Sequence, residues 1–245
     1  MSANTLSISI VIPVYNEERR ITVFLQSVID YLLRKEFAYE ILIVDDGSRD
    51  RTIAVTESLL KEKLPGTYRI IKLPANKGKG AAIREGMLQA NGDYIFFLDA
   101  DGSTAIQEID NFMPKFSPGI DIYIATRTIK HKAPQKRKFF GYGYIFLANL
   151  LLGLRVVDIT CGFKCYTRAS ARKIFPLQSL NNWSFDAEDL FIARRHGYEI
   201  MGIPVHWQHV GGSKVKVFKN VLMCGLDLLR IRYKNYNGLY QQPPH

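Results

Sequence analysis

Four runs of β-branched and aromatic residues, SISIVIPV, YEILIVDD, YRIIKLP and DYIFFLDADG, are spaced along the first hundred residues with helix-patterned stretches between them. The runs are apolar throughout rather than at every second position, so both faces of each strand must be covered. Strands that alternate with helices of about 10–18 residues give a mostly parallel sheet flanked by helices. The stretches between carry the helical period: Ile21, Phe24, Leu25, Val28, Ile29 and Leu32 share one face of a helix expected over Glu17–Arg34. Further helices are expected over Arg51–Lys63, with Asp50 as N-cap, and over Ala81–Ala90 behind a glycine-rich loop.

Past Ala105 the pattern changes. A short helix near Ile106–Phe116 precedes the strand DIYIATR, a basic stretch, an apolar run over Phe139–Leu154 and the segment DITCGFKCYTR. WSFDAEDLFIARRHG is helical in its second part, EIMGIPVHW is a strand, and Val217–Arg232 is amphipathic. With no internal repeat or long linker, the chain reads as one domain over 1–235 followed by a tail, 236–245. Within it the regularly alternating half covers about 7–105, and the half past the change of pattern about 106–235.

Two of the predicted strands end in acids, Asp45–Asp46 and Asp99–Ala100–Asp101. Ligands of open α/β sheets bind outside the carboxyl ends of the strands. Carboxylates at i and i+2 on a turn just past a strand can hold a hard divalent cation, with a diphosphate completing its shell. A single such pair more often caps a helix or makes a turn; two acidic ends in one sheet shift the balance toward a site. The loop NKGKG, Asn76–Gly80, precedes a helix and carries Lys77 and Lys79, chemistry that suits an anion. It is neither a Walker A loop nor a dinucleotide fingerprint, because Gly80 follows Lys79 and the glycine spacing differs.

With 33 Lys and Arg against 23 Asp and Glu, the net charge is +10, which calls for an anionic partner. Nucleic acid is set aside: Lys130–Lys138 holds five basic residues but no aromatic until Phe139, and the paired acids repel phosphate. Phe139–Leu154 has 16 residues without charge. As a helix it would reach about 24 Å, short of the ~30 Å hydrocarbon core. Flanked by Lys136, Arg137, Lys138 and Arg155, it fits a helix lying in an anionic membrane surface. Val217, Val221, Leu222, Leu228 and Leu229, opposed to Lys219, Asn220 and Arg230, give the C-terminal stretch similar chemistry. No signal peptide or spanning helix is predicted, and the three cysteines are expected as free thiols in a reducing compartment.

VIPVYNEE, ILIVDDGSRDRT, NKGKGAAIREGM and FFLDADG, in this order, resemble the inverting family-two glycosyltransferases of GT-A fold. DITCGFKCYTR, WSFDAEDLFIA and GGSK narrow the resemblance to the dolichyl-phosphate glucosyltransferases, with the mannosyltransferases as sister group. The resemblance implies an α/β GT-A sheet with C-terminal amphipathic interface helices, in a single glycosyltransferase catalytic domain whose half over about 7–105 binds the nucleotide and whose half over about 106–235 meets the acceptor and the membrane interface. It implies a nucleotide-diphosphate sugar donor, Mg²⁺ or Mn²⁺, and a polyprenyl or dolichyl phosphate acceptor at the cytoplasmic side of a membrane. Pro13, Tyr15 and Glu17 match positions that hold base and ribose; Asp46, with Val44 beside it, matches the base-reading acid. Asp99 and Asp101 match the metal and diphosphate ligands, with Ala100 contacting the nucleotide. Arg127 and Lys214 match basic residues that meet the diphosphate or the acceptor phosphate, and Glu188 an acid of the acceptor region.

The mannosyl branch has a basic residue six positions before the lysine of GGSK; here Gln208 stands there after Trp207, as in the glucosyl branch. The eukaryotic glucosyl enzymes carry an N-terminal membrane anchor. None is expected ahead of Ser7, so attachment is expected through the amphipathic segments or a membrane-anchoring partner. Four groups are therefore candidates for the chemistry: Asp101, Arg127, Lys214 and Glu188. A lipid phosphate is already ionised near neutral pH and needs positioning rather than a base. A hydroxyl acceptor would need a carboxylate, for which Glu188 or Asp189 is the candidate.

Overall fold

The computed structural model describes residues 6–127, 135–208 and 217–241. The N-terminal half follows the expected alternation: β1 (Ser7–Val14), α1 (Ile21–Leu32), β2 (Ala38–Asp45), α2 (Thr52–Lys63), β3 (Tyr68–Lys72), α3 (Lys79–Gln89) and β4 (Tyr94–Leu98). Then come α4 (Ile109–Phe112), β5 (Ile122–Arg127), α5 (Gln135–Leu152), β6 (Phe163–Thr167), α6 (Arg168–Ile174), α7 (Phe185–Arg195), β7 (Ile200–Val205) and α8 (Val217–Tyr236).

The strands form one sheet in the order β3-β2-β1-β4-β6-β5-β7. All neighbours are parallel except β6, which runs antiparallel to both β4 and β5. Alternation along each strand feeds two cores. Val11, Leu42 and Phe97 face α3, α6 and α7, while Ile10, Ile43 and Phe96 face α1, α2 and α4. The predicted apolar face of α1 is buried without exception.

Some boundaries shift for local reasons. Residues 17–20 form a turn before α1, in which the Glu17 carbonyl accepts from the backbone N–H groups of Arg20 and Ile21 at 2.9 Å. The helix expected over Ile106–Phe116 breaks into α4 and two flanking 3₁₀ turns, the second of which carries Pro114 near its start. The sequence predicts no element for DITCGFKCYTR, yet it supplies β6 and the start of α6. In α8 the expected apolar set does not form one face: Leu228 is buried and Leu229 is 55% exposed. Val217, Val221 and Leu222, like Lys136, Arg137 and Lys138 on α5, have side chains outside what the structure describes, and so does Lys219.

Candidate active site

The chain runs from β1 outward to β3, then returns to place β4 on the other side of β1. That reversal opens a crevice at the carboxyl ends of β1 and β4, the expected ligand position in an open α/β sheet. Val14 pairs with Asp45 at the ends of β1 and β2, and β4 leads directly into Asp99, so both acidic ends flank the crevice.

On the β2 side, Asp46 accepts backbone N–H bonds from Lys77 at 2.7 Å and Gly78 at 2.9 Å. Its carboxyl lies above the usual carboxylate range because burial outweighs these two donors. Asp46 thus ties the NKGKG loop over the crevice. Gly78 is needed there, since its φ is +103° and a side chain would overlap the Asn181 carbonyl. Tyr15 stands at the mouth, 40% exposed. Pro13 precedes it, paired in register with Val44. Glu17 grips Arg20 through two hydrogen bonds of 2.7 and 2.6 Å. Val44 is fully buried in the core, and Ala100 is nearly so. The Val44 side chain therefore has no face open to a ligand.

On the β4 side, Asp99 is fixed by β6. Its N–H donates to the Gly162 carbonyl at 2.9 Å, and a side chain at Gly162 would overlap the Asp99 carboxylate. Asp101 accepts from Ser103 N–H at 2.9 Å. Among the described residues no cluster of three or more His, Cys, Asp or Glu could hold a metal. Two carboxylates at a strand end nonetheless suit Mg²⁺ or Mn²⁺, which are commonly held by one or two carboxylates together with substrate phosphates. The donor set fits a divalent ion that arrives with a diphosphate.

Sequence reasoning gave Lys79 only a general role and missed its neighbours. Lys79 Nζ donates to Asp99 Oδ1 and lies 5.0 Å from the centre of the Trp183 ring. Behind it, the fully buried Lys164 of β6 pairs with Asp186 in the first turn of α7 and donates to the Cys161 carbonyl at 2.9 Å. Arg127, ending β5, makes a two-pronged contact with Asp158 at 2.7 and 2.8 Å and donates to Thr160 Oγ1 at 2.7 Å. Its guanidinium lies 5.7 Å from the Trp207 ring. Gln208 N–H donates to the Ser103 carbonyl at 2.9 Å, which brings the segment before Lys214 to the Asp99–Asp101 turn. Lys214 itself lies outside the described residues.

Glu188 is elsewhere. It is wholly enclosed, accepting from Ser179 N–H at 2.9 Å, Leu180 N–H at 2.6 Å, Tyr240 OH at 2.7 Å and the Ser179 hydroxyl. With its oxygens so occupied, it is a pin between α7, the 179–180 turn and the C-terminal segment. Arg194, further along the same helix, bonds the Leu154 carbonyl and Glu199 instead.

Asp189, also fully buried, has neither carboxyl oxygen hydrogen-bonded. Burial first, then repulsion from Glu188 and Asp186, holds its pKa well above the usual range. Burial thus favours the neutral acid in the fold, relative to the unfolded chain, where an aspartate ionises above about pH 3.9. Its contribution is fully present below that pH and is lost as pH rises toward the folded-state value. The difference in Tm between Asp189→Asn and the unmodified chain should grow in favour of the variant from pH 4 to pH 8. A pH-independent difference would contradict the buried neutral acid.

An acid-rimmed sheet end at a topological reversal, with a glycine loop on one side and cations on the other, defines an α/β protein with a ligand site at its strand ends. The profile described as "Glycosyl transferase family 2" matches residues 9–175, and the chain belongs to that family. It is 32% identical over 254 residues to the dolichyl-phosphate beta-glucosyltransferase of Dictyostelium discoideum, covering 97% of this chain and 77% of the relative. Its likeness to the enzyme of the same name from Homo sapiens is 33% over 253 residues, covering 97% and 78%. In fold it is similar to glucosyl-3-phosphoglycerate synthase from Mycobacterium tuberculosis, solved with Mn²⁺, uridine diphosphate and phosphoglyceric acid. That match has a TM-score of 0.65 at 19% identity, covering 94% of this chain and 78% of the other.

Proposed function

We propose that this chain transfers a glucosyl residue, with inversion, from a nucleotide-diphosphate sugar to a polyprenyl phosphate such as dolichyl phosphate. The observation that carries this reading is its 32–37% identity, over nine-tenths or more of the chain, to relatives named dolichyl-phosphate beta-glucosyltransferase. The crevice has chemistry to match. Tyr15, Glu17 and the Asp46-held loop border the space for base and ribose, with Pro13 behind them. Asp99 and Asp101 would hold Mg²⁺ or Mn²⁺ with the donor diphosphate; the bound ion supplies Lewis-acid stabilisation of the leaving group. Lys79 and Arg127 add fixed positive charge where anion density grows, and Lys214 takes the same role from the resemblance. A phosphate acceptor is largely dianionic at pH 7. The enzyme then needs no general base, which agrees with the enclosure of Glu188 and the burial of Asp189.

The acceptor also asks for a lipid surface, on the cytoplasmic side in this reading. No described helix is long and apolar enough to cross a membrane. Instead Tyr142, Phe146 and Leu150 are exposed at four-residue intervals on α5, and Met223, Leu226, Leu229, Tyr233 and Tyr236 form a second exposed stripe on α8. Apolar stripes on a basic chain suit the surface of an anionic bilayer. Leu226→Ser with Leu229→Ser should weaken sedimentation with anionic vesicles at least tenfold, since burying a leucine side chain is worth roughly 1.5–3 kcal/mol. Unchanged partitioning would place the membrane contact elsewhere.

The experiment that tests the activity offers labelled UDP-glucose and GDP-mannose separately to the purified protein with a polyprenyl phosphate. Butanol-extractable label is expected from UDP-glucose alone. Label from GDP-mannose would replace glucosyl by mannosyl transfer. Transfer only to a glycan hydroxyl would overturn the lipid-phosphate acceptor.

A further inference from the structure

We propose that Lys79 is the resident counter-cation of the Asp99–Asp101 pair. Its ammonium holds Asp99 while no divalent ion is bound, and releases that carboxylate to an ion readily only when a diphosphate arrives to receive the ammonium. The inference rests on the reading that Asp99 and Asp101 bind a divalent ion, and adds a device that makes ion and diphosphate bind together.

The geometry carries it in three parts. First, Lys79 Nζ donates to Asp99 Oδ1, one of the oxygens an incoming ion would need. Second, the lysine is seated rather than loose. Its side chain is only 15% exposed, and the Trp183 and Phe185 rings lie 5.0 and 5.9 Å from its nitrogen. Third, another acid that acts on Lys79, Asp186, is taken, being already paired with the buried Lys164. An ion that bound Asp99 and Asp101 would leave the ammonium beside a dication, with Asp186 held by Lys164. A diphosphate relieves that repulsion, because its oxygens bind the ion and accept from Lys79 at once. Lys79 opens α3, where the helix N-terminus also favours an anion.

Linkage then requires reciprocity: whatever factor the diphosphate adds to ion affinity, the ion adds to diphosphate affinity. The test is an electron paramagnetic resonance titration of Mn²⁺, with and without UDP, on the unmodified chain, Lys79→Met, Lys79→Gln and Lys79→Arg. Thermal unfolding confirms that each variant folds, and either neutral variant suffices. With the competing ammonium gone, Lys79→Met and Lys79→Gln should bind Mn²⁺ alone about tenfold more tightly, and UDP should enhance Mn²⁺ binding by about tenfold less, within the usual span of coupling between sites. Lys79→Arg should stay near the unmodified chain. Equal or weaker Mn²⁺ binding by the neutral variants, with UDP-linked binding intact in the unmodified chain, would overturn this inference alone. Absence of Mn²⁺ binding by the unmodified chain even with UDP would overturn the metal reading and this inference with it.

Discussion

Asp101→Asn should lower kcat/KM for sugar transfer by about three orders of magnitude and leave Tm almost unchanged. The rate effect follows from the charge that must be met on a departing nucleoside diphosphate. A bound divalent ion is worth several kcal/mol at that point, and each 1.36 kcal/mol is tenfold in rate. The stability effect follows from exposure: Asp101 is only partly buried, and its one hydrogen bond from Ser103 N–H can be accepted equally by an asparagine oxygen. Surface changes of this kind stay within about 0.5 kcal/mol. EDTA should abolish transfer by the unmodified chain, with recovery on adding Mn²⁺, and the variant should recover only in part. Full turnover in EDTA would remove the metal from the mechanism.

Glu188→Ala should act the other way round, with a large loss of stability and no specific loss of chemistry. The substitution strands the N–H groups of Ser179 and Leu180 and the Tyr240 hydroxyl, all previously bonded to one carboxylate. Unsatisfied buried donors cost about 1–3 kcal/mol each, and removal of a buried charged partner about 3–5 kcal/mol in total. In a chain of this size that is a fall in Tm of roughly 6–20 °C. Glu188→Gln is the sharper probe, because it keeps the volume. Its kcat per folded molecule should remain within a few-fold of the unmodified chain, whereas Lys214→Ala should lose more. Loss of a general base would instead cost about 10²–10⁴-fold, so a thousandfold fall in kcat for a folded Glu188→Gln would return it to the chemistry.

The N-terminal half was legible because its signals are local. Strand runs, helical spacing and acids just past strand ends depend on neighbours in sequence, and β1 to β4 lie where those signals put them. What sequence could not convey was partnership across long separations. Asp46 reads as a strand-end acid, yet each of its oxygens accepts from the loop, from Lys77 and Gly78 some thirty residues on. Arg127 reads as a free cation, yet Asp158 holds it. Glu188 and Asp186 differ by two places in FDAED, and only the packing of α7 turns one into a pin and leaves the other facing Lys79 and Lys164. The strand β6 escaped because FKCYT breaks the usual pattern: its lysine is fully buried. The signal that could have found it was Lys164 itself, a cation in an otherwise apolar run, which demands a buried acid.

That reversed strand also governs how the molecule is made. Because β6 lies between β4 and β5, the YIFFL edge of β4 has no neighbour on that side until Phe163 is synthesised, 163 − 98 = 65 positions after Leu98. At ribosomal speeds of about 5–20 residues per second, the wait is about 3–13 s. An apolar strand with an open edge is a template for pairing with other chains. The nascent protein therefore passes through an aggregation-prone interval that its finished form does not reveal. Changes that delay or weaken the closing strand are felt in the yield of soluble chains, and the molecules that do close go on to work normally.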